Sequence, residues 1–395
     1  DPPVGTQSRS PNRPCLLGLA IMNFDFSDDQ KLLKEQVRKF LADKCPTKVV
    51  RRVLDGPETH ADDVWKGLVD LGVPGIGIPE EYGGSGLSPL EVCVVAEEIG
   101  RAAAPVPFDT SVVLATEALK LAGSDAQKKK WLRELASGKA IGTLAIAEGA
   151  QPPKPRNIRT MFGGGRLNGR KVPVTDGEAA TFAIALANTG GTGDRAVSLV
   201  LVDLKQAAVA RKRVDTIDPT RKHAELTFKD ATAELLGDEG EGWRLLERLY
   251  DAAAVYFAFA QVGGAEAAMW MARDYALQRQ AFGRAIGSYQ AIKHKLADCY
   301  VKLEIARSNA YYGAMMLSEG GADLAVAAAA ARIAATEAYD FAAKENIQTH
   351  GGIGFTWEAD TQFHYRRSRL MALSIGGPMA WKDKLVSRLE QKNAA

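Results

Sequence analysis

Between residues 27 and about 138 the apolar positions recur with a helical period. Leu32, Leu33, Val37, Phe40 and Leu41 share one face, and Ser27, followed by Asp28 and Asp29, has the chemistry of an N-cap with acids in the first turn. The same period predicts helices near 61–72, 88–101, 110–122 and 126–138, punctuated by Pro79 and a Gly-rich loop at 83–86. Between about 140 and 237 the pattern shortens. TLAIA (143–147), KVPVT (171–175), TFAIALA (181–187), VSLVLVDL (197–204) and AELTF (224–228) read as strands of a small antiparallel sheet or barrel. Residues 149–165 read as an irregular loop and GGGRLNG at 163–169 as a hairpin turn. From Gly242 the helical period returns over 242–279, 289–318, 322–350 and 366–390, with glycine breaks at 320–321 and 351–354. Apolar stripes wider than one face favour a bundle that also packs against partner subunits.

The fold class is therefore mostly α with a central β domain. Residues 22–139 form an N-terminal helical domain, 140–237 the β domain and 238–395 a C-terminal four-helix bundle. Residues 1–21 are Pro- and Ser-rich with almost no acids, and Met22 opens a pattern resembling a natural start, so 1–21 reads as a leader or flexible arm.

Charge excludes some partners. The 395 residues carry 50 Lys and Arg against 48 Asp and Glu, a net charge of +2 that gives no reason to expect nucleic acid or an anionic membrane. The longest apolar stretch, 252–265, is bounded by Asp251 and Glu266 and reads as a buried helix. Four scattered cysteines without CxxC spacing point to free thiols in a reducing, cytoplasmic setting. The five histidines are dispersed, with His60 and His223 expected at the surface and no metal cluster expected. No phosphate-loop, HExxH, GxSxG or EF-hand pattern occurs.

Five phrases, in order, carry a more specific message. They are IPEEYGGSG at 78–86, VTDG at 174–177, GDEGEGW at 237–243, YALQRQAFGRAIGSYQAIKHKLAD at 275–298 and QTHGGIGFTWE at 348–358. Together they resemble the acyl-CoA dehydrogenase family across nearly the whole chain. The resemblance implies FAD as cofactor, an acyl-CoA substrate and an electron-transferring flavoprotein as acceptor. It assigns Arg279 to the FAD pyrophosphate, where a guanidinium forks two donors onto oxygen. Phe282 and Gln290 would sit beside the adenosine part, reaching the FAD of a neighbouring subunit. Gln348, Gly351 and Gly352 match the stretch where backbone nears the dinucleotide, and Thr175 would donate its hydroxyl near flavin N5. Two departures stand out: Pro173 replaces the Trp usual two residues before that Thr, and EGAQPPKP at 148–155 replaces an acidic Gly- and Ser-containing loop.

The largest departure concerns the base. α,β-Desaturation needs a carboxylate, raised in pKa by a dry pocket, to take the α-proton while hydride leaves the β-carbon. In the family this Glu precedes a Gly; here that position is Ile375, with Ser374 and Gly376 beside it. The alternative family position, on the first bundle helix, is Ala253, next to Ala254. The catalytic residue is thus not identified. One reading is a subunit of a hetero-oligomer whose homologous partner carries the Glu, a type whose members act on steroid side chains or on dicarboxylic and ring-containing acyl-CoAs. Another is a homo-oligomer using a displaced acid such as Asp251, with Glu247 nearby. A third is a flavin monooxygenase or a non-catalytic flavoprotein on the same scaffold.

Overall fold

The computed structural model describes residues 26–394. The expected arm at 1–21 and Met22 lie outside the described residues. The chain opens with α1 (Asp28–Lys44), α2 (Thr47–Asp55), α3 (Asp62–Asp70) and α4 (Pro89–Arg101). Ser27 does cap α1: its hydroxyl accepts from the Gln30 amide, and the Gln30 side chain accepts from the Ser27 amide, satisfying two otherwise orphaned donors. A wide π-helical turn, Phe108–Ala115, leads into α5 (Thr116–Ala122). There the Thr116 hydroxyl donates to the Ser111 carbonyl five residues back. The next helical run comprises α6 (Asp125–Gln127), a second π turn (Lys128–Leu132) and α7 (Arg133–Ala136).

The strands are β1 (Gly142–Ala145), β2 (Met161–Gly163), β3 (Arg166–Thr175), β4 (Phe182–Asn188), β5 (Val197–Asp203), β6 (Val209–Val214) and β7 (His223–Leu236). β4 pairs β5, β5 pairs β7, β7 pairs β3, β3 pairs β2, and Met161 of β2 returns to Asn188 of β4, so the sheet closes as a barrel. It is not wholly antiparallel, because β1 and β2 run parallel to β4. The two barrel strands missed by pattern, β2 and β6, have exposed or half-buried side chains, so their apolar alternation is weak. The 163–169 segment does turn a hairpin, with Gly164 and Gly165 at positive φ between β2 and β3.

The bundle follows: α8 (Gly242–Gln278), a short hairpin of β8 (Gln280–Ala281) and β9 (Arg284–Ala285), α9 (Gln290–Glu319), α10 (Leu324–His350), α11 (Thr361–Leu373) and α12 (Pro378–Ala394). The expected helix at 366–390 is thus two helices. Gly376 at φ +106 and Pro378 at the first turn of α12 end one and start the other, because neither continues an α-helical ladder comfortably. The 37 residues of α8, about 55 Å of helix, carry the framework. α4 lies on α8 with backbones touching. A Cβ on Gly100 would stand 1.9 Å from the Ala260 carbonyl oxygen, and one on Gly263 1.8 Å from that of Glu97. A buried charge network braces this crossing. Glu97, wholly buried, pairs with Lys34 at 2.5 Å and Arg307 at 2.7 Å, while Arg101 and Arg307 both reach Glu266.

Candidate functional site

Thr175 ends β3, beside β1 and the start of β7. The β3–β7 register shifts between Lys171 and Val174, at Pro173, which has no N–H for the ladder. The Thr143 hydroxyl donates to the Thr175 carbonyl at 2.7 Å. The Thr175 hydroxyl meets His223 Nε2 at 3.0 Å, and His223 Nδ1 lies 2.9 Å from the Arg221 carbonyl. His223 is 3% exposed, so the expected surface placement is wrong. It opens β7 paired with Thr175 on one side and Val214 of β6 on the other, and this pairing encloses the ring. His60 is half-buried, its Nδ1 3.0 Å from the Thr59 hydroxyl. Burial pushes both histidines below their ordinary value.

Behind Thr175 lies a buried polar network that joins all three parts of the chain. Asp176, at φ +55, accepts from the Thr110 hydroxyl at 2.6 Å and from Arg221 at 2.7 Å; Arg221 also holds Asp109 at 2.5 Å. Asp218 binds Arg367 of α11 at 2.6 Å and the Thr220 hydroxyl at 2.5 Å. Arg367 goes on to donate to the Ala103 and Ala104 carbonyls at 3.1 and 3.4 Å. The π turn therefore presents Asp109 and Thr110 to the barrel, a use such wide turns often serve.

Four carboxylates, Glu97, Asp176, Asp218 and Glu266, titrate below their ordinary range. In each, burial alone works the other way and is outweighed by Lys34 and Arg307, Arg221, Arg367, and Arg101 respectively. Glu266 falls to about 2. Unfolded carboxylates titrate near about 4, so below that pH the unfolded chain binds more protons than the folded one. Their contribution to stability is then fully present above about pH 5 and is lost as pH falls towards 2. Melting temperature should decline gradually from pH 7 to 5, as the unfolded chain protonates histidines that burial keeps neutral in the fold, and drop steeply below 4 as the carboxylates lose their pairings; a rise below pH 4 would contradict these pairings.

A second cluster forms at the far end of α8. Arg279 follows the helix, exposed, and its side chain has no hydrogen-bond or ion-pair partner among the described residues. Phe282 sits at φ +52 with Gly283 at φ +78 in the β8–β9 turn, and its ring is 96% exposed. Positive φ at both residues gives the twist that a two-residue hairpin needs. Gln290 starts α9 and is exposed. Gln348, Gly351 and Gly352 lie at the exposed end of α10. Tyr275 stacks on His350 at 4.1 Å, placing the ends of α8 and α10 side by side. Gly351 needs φ +64, and a Cβ on Gly351 or Gly352 would meet open space within this chain. Arg279, Gly351 and Gly352 are all exposed, and the Arg279 guanidinium is free to donate to an anionic ligand. Thr175 is not in this cluster.

The positions where the resemblance puts the base are apolar in three dimensions as well. Ile375, in the break between α11 and α12, is 2% exposed, and its carbonyl accepts from the Trp381 indole at 3.2 Å. Ala253 and Ala254 are wholly buried. Asp251 is clamped by Arg388, whose Nη2 reaches both carboxylate oxygens at 2.7 and 3.0 Å; burial raises its pKa even so. Glu247 is exposed. Sequence reasoning missed Arg332, a fully buried cation on α10 that bonds Gln261 and the Met371 carbonyl rather than a carboxylate, its pKa pushed by burial down to about 9. A single Arg inside the Ala-rich run 327–335 was the available signal. It missed Arg221 and Arg367 because charged residues at loop and helix positions usually face solvent.

Residues 27–139 match the acyl-CoA dehydrogenase N-terminal domain and residues 240–378 the acyl-CoA dehydrogenase C-terminal domain. The chain is 31% identical over 366 residues to the acyl-CoA dehydrogenase IpdE2 of Mycobacterium tuberculosis, covering 92% of this chain and 97% of that protein. It superposes on butyryl-CoA dehydrogenase from Megasphaera elsdenii with a TM-score of 0.85 at 26% identity, covering 93% of this chain and all of that one. A chain of the ChsE4–ChsE5 complex from Mycobacterium tuberculosis gives a TM-score of 0.84 at 25% identity, covering 93% of this chain and 99% of that one.

Proposed function

The chain belongs to the acyl-CoA dehydrogenase family, and from that premise we propose that it is an FAD-holding subunit of a hetero-oligomeric acyl-CoA dehydrogenase. Its homologous partner would supply the glutamate that takes the α-proton. The observation that carries this reading is the pair of apolar, buried base positions at Ile375 and at Ala253 with Ala254. Asp251, the displaced acid of the homo-oligomer reading, is engaged at both oxygens by Arg388, which leaves it poorly placed to accept a substrate proton. The ChsE4–ChsE5 complex is a precedent for a chain of this fold in a complex of two different proteins.

Bound FAD would supply the acceptor for hydride leaving the substrate β-carbon. Arg279 would bind the pyrophosphate, Phe282 and Gln290 would flank adenosine, Gln348 with Gly351 and Gly352 would line the dinucleotide, and Thr175 would meet the flavin edge. Arg279, just after α8, and Phe282, in the β8–β9 turn, are exposed and would serve the FAD of a neighbouring subunit. Exposed Leu277, Phe282, Tyr300, Val301, Ile305 and Phe355 supply an apolar surface for such a neighbour. The substrate class would be an acyl-CoA, with ring-bearing acyl groups as first candidates, and an electron-transferring flavoprotein would take the electrons. Buried free thiols at Cys45, Cys93 and Cys299 suit a reducing cytoplasm.

The test is purification of this chain alone and with a Glu-bearing homologous chain, followed by anaerobic mixing with a panel of acyl-CoAs. Alone, the chain should not bleach flavin; the mixed assembly should. Bleaching by the lone chain that disappears in D251N would instead establish the displaced acid, and oxygen consumption dependent on reduced flavin would establish the monooxygenase.

A further inference from the structure

An acceptor-only carbonyl sets the polarity of the hydrogen bonds around Thr175. The Arg221 carbonyl is an acceptor only, so the 2.9 Å contact requires that His223 Nδ1 carry hydrogen. Burial keeps the ring neutral at pH 7, since it lowers the His223 pKa and the neighbouring Arg221 guanidinium adds to that; Asp176 and Asp218, which favour the cation, are tied to Arg221 and Arg367. A neutral ring with hydrogen on Nδ1 has a bare Nε2. The 3.0 Å contact is therefore a bond from the Thr175 hydroxyl to His223, and the Thr216 hydroxyl, 3.2 Å from Nδ1, can share the Nδ1 hydrogen. The single hydroxyl proton of Thr175 is thus used inside the protein. With that polarity, Thr175 has only lone pairs left to offer outward.

We propose that His223 is a positioning residue that fixes Thr175 as a hydrogen-bond acceptor towards the flavin and thereby favours the reduced cofactor. The inference rests on the reading that FAD is held with Thr175 at its N5 edge. Oxidised flavin presents a lone pair at N5, which meets the Thr175 lone pairs unfavourably. Two-electron-reduced flavin carries hydrogen on N5 and can donate to them. Removing the His223 acceptor frees the Thr175 proton to turn outward, where it would bind the oxidised form instead.

The experiment measures the midpoint potential of FAD in the loaded protein, purified with its partner chain, for the parent and for H223L, H223Q and T175V. H223L should lose about tenfold in preference for reduced over oxidised flavin, read as a midpoint about 30 mV more negative for a two-electron couple. H223Q, whose amide oxygen can still accept from Thr175, should stay close to the parent. In a T175V background H223L should cause no further shift. A parent-like potential in H223L, alongside a shifted one in T175V, overturns the role of His223. A potential and flavin spectrum unchanged in T175V show instead that Thr175 does not meet the flavin, so the underlying reading fails. Should H223L not fold, nitrogen NMR of the parent decides: a hydrogen found on His223 Nε2 overturns the proposal, and one on Nδ1 supports it.

Discussion

R279Q is expected to weaken FAD binding by about 100-fold while leaving the melting temperature of the flavin-free chain where it is. The Arg279 guanidinium is exposed and bonds nothing among the described residues, so its removal takes no interaction from the fold. Surface changes of that kind shift stability by less than about 0.5 kcal/mol. A pyrophosphate would receive two charge-assisted hydrogen bonds from the fork, and loss of a charge-assisted bond costs about 1.5–3 kcal/mol. At the upper figure the dissociation constant rises roughly 100-fold, since each 1.4 kcal/mol is tenfold. Lysine should recover only part of this, because a point charge cannot make the bidentate contact. Flavin fluorescence titration of the assembled protein reads the affinity, and calorimetry the stability. Unchanged affinity would remove Arg279 from the cofactor site, whereas a melting temperature lowered by several degrees would show that it is a structural residue.

R367M should be the most destabilising change. Arg367 is 3% exposed, and it joins α11 to Asp218 and Thr220 before β7 and to the carbonyls of Ala103 and Ala104 after α4. Methionine fills the space but leaves the Asp218 carboxylate, which has no exposure, charged and without its counter-ion. Breaking a buried pair by removing one partner costs about 3–5 kcal/mol. The protein should melt well below the parent, and D218N combined with R367M should recover much of the loss, because the stranded charge is then gone. If the double variant is no more stable than R367M alone, the pair contributes through packing rather than charge.

Much of the architecture was readable because it depends on local periodicity. The α1 face, the Ser27 cap, the long helices of the bundle and the five stronger strands each arise where apolar residues recur at a fixed period beside a capping or breaking residue. The split between α11 and α12 was hidden because periodicity continues through Leu373, whereas Gly376 and Pro378 act through backbone dihedrals. Strands β2 and β6 were hidden because their side chains alternate weakly, and the closure of the barrel requires Met161 to meet Asn188, a pairing no local pattern encodes.

For the site, the sequence by itself determined which side chains are available: a fork of donors at Arg279, glycines at 351 and 352, and hydrocarbon where a proton acceptor would stand. Those are properties of residue identity, and folding does not alter them. Only the tertiary structure decided what those groups are free to do. It left Arg279 exposed and without a partner among the described residues, engaged Asp251 with Arg388, and set the Thr175 hydroxyl beside His223, 48 residues further along the chain. Hydrogen-bond polarity and desolvation depend on neighbours in space. A side chain's chemistry is legible from its letter, but its donor, acceptor or ionic state is set by what the fold puts within about 3 Å of it.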